Sequence, residues 1–477
     1  MKLPLSRIAE FIAATGQYDA QATAQGYSID SRTVQPGELF FAVKGDRLDG
    51  HDYVAAALAR GAVAAVVRKD HVGTGLSPVQ PGEARPPLLA VYDTLAALQT
   101  LATAVRKLWG KPAIGITGSM GKTTTKESVA HLLATKHHVH RTKGNFNNHF
   151  GLPLGLLTLE PEYDLAVVEM GMSHAGEIAA LARIAQPTEA VITNVAPVHL
   201  EFFDSVAGIA RAKYELVESL PATGTAFLNA DDEYVSQFGR NFKGKVVMYG
   251  LKSVADIRAE NIESAGTEGT RFDLLCNGVR QPVHSPLLGQ HNVYNVLAAA
   301  AVALNHGLTP SEIAAALPSL SPADKRGEVV RLGNISVLYD CYNSSPRALM
   351  AAVDTLAAMP AGRRIVVAGE MLELGSTAEH LHRDCGRHIA SKKLDFLLGV
   401  RGMAKPMVEA AKAEGMEAEF VATPEEAGEW LAREARDEDV VLLKASRGVK
   451  LEKALDVWKA KLAAATASND QRPTTND

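Results

Sequence analysis

Apolar residues in the first part of the chain occur in two alternating patterns. The segments GELFFAVKG, GAVAAVV and PPLLAVYD contain short apolar runs bounded by Gly, Pro or charged residues, and these runs predict buried strands. The segments DYVAAALAR and TLAALQTLATAVRKLWG instead place apolar residues on one face of a helix. The alternation predicts a small α/β domain over residues 1–108.

The same alternation continues in two further blocks. In residues 109–320, the strands AIGIT, LAVVEM and EAVITN alternate with helical segments, which predicts a parallel sheet with crossover helices. In residues 321–465, ISVLYD, RRIVVAGE, DFLLGV and DVVLLKAS predict a second open α/β sheet. The last segment, residues 466–477, is polar without an apolar period and is predicted to be a disordered tail.

Composition narrows the class of protein. A net charge of −5 over 477 residues argues against a nucleic-acid partner. The three cysteines, Cys276, Cys341 and Cys385, are odd in number and lack CxxC spacing, which disfavours a disulfide framework or a zinc site. No apolar run is long enough to span a membrane, and MKLPLSRIAEFIAATG lacks the pattern of a signal peptide. These features fit best a protein of the reducing cytosol.

A glycine-rich stretch, GITGSMGKTTTKE, lies between a predicted strand and a predicted helix. Backbone N–H groups and the helix dipole at such a junction form an anion site. Lys122 is expected to reach the terminal phosphates of ATP, and the Thr123 hydroxyl to meet Mg²⁺. The loop has the form GxxGKT, because Ile116 stands where a Walker loop has its first glycine. The residues expected to hold the nucleotide here are Gly118, Ser119, Met120, Gly121, Lys122, Thr123 and Thr124.

Polar residues follow two neighbouring strands of this predicted sheet. LAVVE ends at Glu169, and AVITN ends at Asn194, five residues before His199. Ligands bind outside the carboxyl ends of parallel strands, so Glu169 and His199 are candidate Mg²⁺ ligands. Taken singly, a strand-end carboxylate is more often solvated, and a lone histidine is more often structural. The phosphate loop beside them favours the functional interpretation.

Lys213 interrupts an apolar helical stripe. In DSVAGIARAKYELVESL the stripe includes Ile209, Leu216 and Val217, and Lys213 falls between them. An ammonium there is costly unless it is paired or its charge is removed. Spacing alone leaves two interpretations open. Either the stem packs while the head reaches water, or the lysine has a functional role.

Many of these segments together resemble the Mur ligase family. The resemblance rests on GITGSMGKTTTKE, GNFNNHFGLPL, VVEMG, TNVAPVHLE, ARAKYEL, GQHNVYNVLAAAA, KRGE, DCYNSSPRA, GEMLELG and KASRG, which occur in this order. SIDSRTVQPGELFFAVKGDRLDGHDY is similar to the family's nucleotide-sugar-binding domain. The resemblance spans all but the last dozen residues. It implies an α/β protein of three domains, with a central P-loop ATPase-like parallel sheet flanked by a small N-terminal α/β domain and a C-terminal Rossmann-like domain.

The resemblance also implies an ATP-dependent amide ligase that works through an acyl phosphate. In such an enzyme Lys122 handles the β- and γ-phosphates, and Thr123 and Glu169 hold one Mg²⁺. A second Mg²⁺ is held by His199 and by Lys213, whose amine has added CO₂ to become a carbamate. Asn292 and Asn295 face adenine, while Arg326 and Asp340 come from the third domain to phosphate and ribose.

Within the family, the motifs are most similar to those of enzymes that join D-alanyl-D-alanine to UDP-N-acetylmuramoyl-tripeptide. This likeness implies a cytoplasmic monomer with these two substrates. Three groups of side chains are then expected to meet them: Asn145, Asn147 and Asn148 at the muramoyl-peptide end, Ser31 and Arg32 at uridine, and Lys444, Ser446 and Arg447 at the dipeptide carboxylate.

The sequence departs from the family's motifs at two places, and several alternative functions remain open. The third-domain motif more often reads DSYNANP, whereas this chain has DCYNSSP, and no DNPR-type motif is present. The absence of DNPR disfavours the diaminopimelate-adding relative. Another Mur ligase step, a folylpolyglutamate-synthase-like ligase and a nucleotide-dependent switch protein stay open. So does the third residue of the tripeptide, lysine or diaminopimelate.

Overall fold

The computed structural model describes residues 1–45, 48–72, 86–144, 146–198, 200–252 and 255–470, with side chains described to residue 464. The strands are β1 (Leu3–Pro4), β2 (Thr23–Ala24), β3 (Gly26–Ser28), β4 (Glu38–Phe41), β5 (Ala64–Arg68), β6 (Leu88–Val91), β7 (Ala113–Thr117), β8 (Val139–Arg141), β9 (Leu165–Glu169), β10 (Glu189–Ile192), β11 (Thr225–Asn229), β12 (Lys245–Gly250), β13 (Ile257–Ser264), β14 (Thr270–Cys276), β15 (Val279–Ser285), β16 (Glu328–Leu332), β17 (Ile335–Asp340), β18 (Arg364–Gly369), β19 (Phe396–Val400), β20 (Ala418–Val421) and β21 (Val440–Lys444). The α-helices are α1 (Leu5–Phe11), α2 (Val54–Ala59), α3 (Thr94–Trp109), α4 (Lys122–Leu133), α5 (Gly151–Leu157), α6 (Glu177–Ala185), α7 (Val206–Glu218), α8 (Gln290–Asn305), α9 (Pro310–Ala316), α10 (Pro346–Ala357), α11 (Ala378–Ser391), α12 (Ala404–Ala413), α13 (Pro424–Glu434) and α14 (Glu452–Asp470).

The N-terminal domain is built on a parallel sheet in the order β3-β4-β5-β6. Helix α3 begins where the Asp93 carboxylate accepts a hydrogen bond from the Ala96 N–H, and it ends at Gly110 in the left-handed conformation. Its buried face, which includes Leu98, Leu101 and Val105, matches the predicted apolar stripe.

The central domain contains a nine-stranded sheet in the order β15-β14-β13-β12-β11-β10-β7-β9-β8. In this order, every neighbouring pair from β8 at one edge to β13 is parallel, which confirms the predicted sheet. The pairs β13–β14 and β14–β15 at the other edge are antiparallel. The parallel order puts β7 between β9 and β10, with Ile116 opposite Glu169 and Thr117 opposite Ile192. The glycine-rich loop after β7 therefore emerges between Glu169 and the Thr193–Asn194 segment.

The C-terminal domain has a six-stranded sheet in the order β16-β17-β21-β18-β19-β20, parallel except for β16. This arrangement confirms the predicted second open sheet. Helix α14 extends to Asp470, so the backbone of residues 466–470 is helical, although the sequence placed them in a disordered tail. Residues 471–477 lie outside the described part of the chain. Among the described residues, every helix is too short or too polar to cross a lipid bilayer.

The buried apolar residues show how the domains are joined. One continuous cluster contains Leu39 and Leu98 of the N-terminal domain together with Leu152, Ile178 and Leu216 of the central domain. A second cluster lies on the other face of the central sheet. The C-terminal domain has a cluster on each face of its sheet. The first two domains thus share one core, while the third is packed mainly on its own.

Candidate active site

A cleft of about 1230 Å³ lies between the central and C-terminal domains, at the carboxyl ends of strands from both sheets. Most of the residues expected to bind ligands line it. These are Ser119, Met120, Gly121, Lys122, Thr123, Thr124, Asn147, Asn148, Glu169, Asn292, Asn295, Arg326, Asp340, Lys444, Ser446 and Arg447. Gln99 is the N-terminal domain's contribution to the lining among the described residues.

The glycine-rich loop is held in a tight conformation. Gly118 and Gly121 have φ values of +150° and +80°, and a Cβ added to either would overlap Thr193 Oγ1 or Asn295 Oδ1. The Met120 N–H donates to Asn194 Oδ1 at 3.0 Å. Lys122 Nζ donates to the Gly118 carbonyl at 2.7 Å, so its ammonium lies over the loop. This geometry suits a phosphate chain lying along the loop.

Glu169 is a buried carboxylate held by two neighbours. Thr123 Oγ1 donates to its Oε2 and Asn147 Nδ2 donates to its Oε1, both at 2.8 Å. The residue is 2% exposed and ends β9. A hydroxyl and a carboxylate are oxygen ligands of the kind that Mg²⁺ prefers, so this pair fits a metal ion bound beside the phosphate loop.

Lys213 is buried in α7 with 2% exposure. The interpretation in which its head reaches water is therefore wrong. Burial lowers the pKa of the Lys213 ammonium well below its usual value, and the nearby positive charge of Lys122 lowers it further. A neutral amine is the form that adds CO₂, so the site fits the expected carbamate. His199, its expected partner, lies outside the described residues.

Two asparagines of α8 connect that helix to the phosphate-loop helix. Asn295 Nδ2 donates to Asn292 Oδ1 at 2.8 Å, and Thr125 Oγ1 of α4 donates to Asn295 Oδ1 at 3.1 Å. Asn292 Nδ2 donates to the Leu288 carbonyl at 2.8 Å. Both side chains line the cleft, which leaves the predicted contact with adenine open to test.

The C-terminal domain contributes a group of charged residues to the opposite wall. Asp340 and Lys444 are opposite each other in the register of β17 and β21, and they form an ion pair at 2.5 Å. Lys444 is 3% exposed, so Asp340 already balances the charge expected to meet a dipeptide carboxylate. Ser446 Oγ accepts from the Leu372 N–H, and Arg447 pairs with Glu452.

Two of the residues expected to bind the substrates lie away from the cleft lining, and a third lies outside the described part of the chain. Ser31 and Arg32 do not line the cleft. Arg32 is largely exposed and donates to both carboxylate oxygens of Asp30, at 2.9 and 2.7 Å. Asn145 lies outside the described residues.

Some residues of the site were missed by the sequence analysis. The Thr193 hydroxyl donates to the Met120 carbonyl at 2.6 Å and so fixes the backbone of the phosphate loop. Lys126 is completely buried and donates to the Thr142 and Gly144 carbonyls, which fixes the segment before Asn147. Tyr342 lies in the cleft wall next to Arg326. Its position two residues after Asp340, in DCYNSSPRA, was the available signal.

A group of metal-capable side chains also occurs in the N-terminal domain, at Asp49, His51 and His71. His51 Nε2 accepts from the Arg68 N–H at 3.0 Å, so the proton is on Nδ1, which lies 2.6 Å from Asp49 Oδ1. Both ring nitrogens of His51 are therefore engaged by protein groups. This arrangement favours a structural role for His51.

Three family models cover most of the chain. Residues 23–106 match the model described as "Mur ligase family, catalytic domain", residues 116–303 match "Mur ligase middle domain", and residues 325–447 match "Mur ligase, glutamate ligase domain". The chain belongs to the Mur ligase family.

Relatives of this Mur ligase match it over nearly their full length. The UDP-N-acetylmuramoyl-tripeptide–D-alanyl-D-alanine ligase of Bacillus subtilis is 36% identical over 460 residues, with 95% of this chain and 97% of the relative covered. The Escherichia coli ligase of the same name is 38% identical over 387 residues, with 80% and 82% covered.

Solved structures agree with the sequence relatives. A crystal structure of MurF from Acinetobacter baumannii superposes with a TM-score of 0.85 at 28% identity, with 96% of this chain and 99% of that chain covered. MurF ligase from Thermotoga maritima in complex with ADP gives 0.79 at 28% identity, with 93% and 99% covered. Folylpolyglutamate synthase of Mycobacterium tuberculosis, at 16% identity and a TM-score of 0.62, shares the fold alone.

Proposed function

We propose that this Mur ligase uses ATP to join D-alanyl-D-alanine to UDP-N-acetylmuramoyl-tripeptide, a step of cytoplasmic peptidoglycan precursor synthesis. One observation carries the proposal. A phosphate loop, the buried Thr123–Glu169 pair and Arg326 of another domain all line the same cleft. Two relatives that are 36% and 38% identical to it over the aligned residues are named as ligases of this step.

The reaction begins when the terminal carboxylate of the tripeptide attacks the γ-phosphorus of ATP. The bond from γ-phosphorus to the β,γ-bridging oxygen breaks, ADP leaves, and an acyl phosphate forms. The amine of D-alanyl-D-alanine then attacks the acyl carbon, and phosphate leaves as the amide forms. A carboxylate and a triphosphate repel each other, so alignment and charge neutralisation are the main tasks of the site.

Lys122 and Arg326 supply positive charge from two domains. Burial lowers the pKa of Lys122, Glu169 opposes this effect, and the positive charge of Arg326 adds to it, so the two cations lie close enough to act on one another. An anionic phosphate between them would relieve their repulsion. This closeness supports a shared role at the γ-phosphate.

The metal ligands are part of the proposal. Thr123 and Glu169 would hold one Mg²⁺, and His199 with a carbamate on Lys213 would hold the second. The ions would screen the charge of the triphosphate. The carbamate forms when the neutral amine of Lys213 attacks CO₂ and loses one proton, which leaves a single negative charge in place of the neutral amine.

The substrates are assigned to three parts of the molecule. Asn147 and Asn148 line the cleft and would meet the muramoyl-peptide end, with Asn145 beside them in sequence. Ser31 and Arg32 would meet uridine in the N-terminal domain. Ser446 and Arg447 would meet the dipeptide carboxylate, with Lys444 held behind them by Asp340. We expect the protein to act as a cytoplasmic monomer.

Phosphate release tests the function directly. With ATP and UDP-N-acetylmuramoyl-tripeptide, D-alanyl-D-alanine should support turnover, whereas D-alanine, L-lysine and diaminopimelate should not. Supplying the tripeptide with lysine or with diaminopimelate at position three identifies the natural donor. ATP hydrolysis that needs no acceptor would instead indicate a nucleotide-dependent switch, and turnover with a single amino acid would indicate another Mur ligase step.

A further inference from the structure

The ring of Tyr342 lies beside two guanidinium groups in the wall of the cleft. Arg326 Cζ is 4.1 Å from the ring centroid, and Arg447 Cζ is 6.0 Å from it. Both distances are within the range of cation–π attraction. The ring is half-buried and lines the cleft together with both arginines.

The two arginines differ in what else holds them. Arg447 donates to Glu452 Oε1 at 2.7 Å, so a carboxylate fixes its position. Within the described part of the chain, no carboxylate forms an ion pair with Arg326. The described contact of its guanidinium is with Tyr342, whose ring centroid lies 4.1 Å from Cζ. A backbone hydrogen bond links the two segments. The Tyr342 N–H donates at 3.2 Å to the carbonyl of Lys325, the residue before Arg326.

The segment that carries Tyr342 also contacts the phosphate loop, because Ser345 Oγ donates to Met120 Sδ at 3.5 Å and Tyr342 lines the same cleft as the loop. Burial raises the pKa of Tyr342 and the negative charge of Glu169 raises it further, whereas the positive charges of Arg326 and Arg447, and a hydrogen bond with Arg326, lower it. Glu169 belongs to the central domain and lines the same cleft as Tyr342. Arg326 acts on Lys122 in the same way. Ring and guanidinium therefore line the same cleft as the loop expected to hold the phosphates.

We propose that Tyr342 is a positioning residue whose ring face holds the Arg326 guanidinium above the phosphate loop, where it meets the γ-phosphate during transfer. This inference rests on the proposed function. A free arginine side chain loses considerable rotamer freedom when it is fixed on a ligand. A ring that restrains it beforehand removes part of that loss from the transfer step. We assign the restraint to the ring face because Arg326 Cζ lies 4.1 Å from the ring centroid, and the hydroxyl is the alternative that the substitutions below test.

Two substitutions separate the ring from the hydroxyl. Tyr342→Phe keeps the ring face and should retain kcat within about threefold, whereas Tyr342→Leu should lower kcat about tenfold. The Kd for ADP should change less than about twofold in both, because ADP lacks the γ-phosphate. Phe11→Leu is the matched control, since Arg7 Cζ lies 4.4 Å from that ring and the pair is far from the cleft.

A double-mutant cycle completes the test. In an Arg326→Ala background, Tyr342→Leu should have no further effect on kcat, because the ring acts through Arg326. Equal losses in the Phe and Leu variants, an additive loss in the Arg326→Ala background, or a lower melting temperature with unchanged kcat would each overturn the proposal. Failure of the proposed function is recognised separately, as absence of acceptor-dependent phosphate release in the unsubstituted protein.

Discussion

Lys213 shows how burial changes the chemistry of one residue. The side chain is 2% exposed, and burial together with Lys122 lowers the pKa of its ammonium. A lysine kept in the neutral form can act as a nucleophile towards CO₂, whereas a solvated lysine is protonated almost completely at neutral pH. The same burial that makes this lysine expensive as a cation suits it to become a carbamate.

The carbamate leads to a prediction for Lys213→Ala. If the proposed carbamate is a metal ligand, ligase activity should fall by about a hundredfold or more when it is removed. Acetate or propionate should restore part of it by entering the space of the missing carbamate. The measurement is phosphate release with both substrates, with and without added carboxylate.

The control for this variant is Lys136→Ala. Lys136 lies just after α4, donates to the Gly307 carbonyl and pairs with Glu312 at the surface. Its loss should leave activity unchanged, and added carboxylate should have no effect. Full activity in Lys213→Ala would remove the carbamate from the mechanism.

Residues at strand ends were predictable, whereas residues that meet through the tertiary fold were not. Glu169 and the phosphate loop followed from the sequence because parallel strands present their carboxyl ends at one edge. The Asn147–Glu169 bond and the Tyr342–Arg326 contact join separate segments, and no local pattern encodes them. Ser31 and Arg32 came from resemblance alone, and they do not line the cleft that most of the other predicted residues share.

At the scale of elements, the parallel strands and their crossover helices were predicted well. Short apolar runs such as AIGIT and LAVVE are fully buried, which is why the hydrophobic pattern located them. The antiparallel strands β13–β15 were missed. They extend the sheet to its edge, and β13 and β15 expose much of their length. Polar and charged residues therefore interrupt the alternation of apolar and polar positions by which a strand is predicted.

Strand β8 carries a histidine that should make stability depend on pH. His140 is 5% exposed, its Nε2 has no hydrogen-bond partner, and burial lowers its pKa to about 4. The unfolded chain binds a proton near pH 6.5, whereas the folded chain does not, so the free energy of unfolding decreases as pH falls from about 6.5 towards 4. At pH 5 the loss from this residue should be about 2 kcal/mol.

The variant His140→Phe tests this prediction. Phenylalanine keeps a ring against Tyr163 and cannot titrate. Urea unfolding at pH 7.5 and pH 5 should show a smaller decrease in stability than in the parent, by about 2 kcal/mol. An unchanged pH dependence would show that His140 is not responsible.

At the scale of the whole molecule, the three domains form two mechanical units. The N-terminal and central domains share one apolar core, and Arg106 of α3 donates to the Ala185 and Gln186 carbonyls at the end of α6. The C-terminal domain meets the central domain through sparser polar contacts. Two of these are Arg331 to Thr267 at 2.7 Å and Ser345 to Met120 at 3.5 Å.

Nucleotide binding should therefore move the C-terminal domain against a fixed pair. Spin labels on cysteines introduced at the exposed positions Arg60, Glu263 and Lys412 report the three domains. A non-hydrolysable ATP analogue should shift the distance between positions 263 and 412 and leave that between 60 and 263 unchanged. The native cysteines are buried, so they should label slowly. A shift between positions 60 and 263 would contradict the two-unit description.

The shared core has a consequence for protein engineering. Exchanging the first domain with that of a relative, in order to test its proposed role in binding the nucleotide sugar, would put a foreign apolar face against α5 and α6. Such a chimera needs compensating substitutions on those two helices before its donor preference can be measured. Replacing the third domain should need fewer substitutions. Its contacts with the central domain are mostly polar, and its apolar core lies mainly within the domain itself.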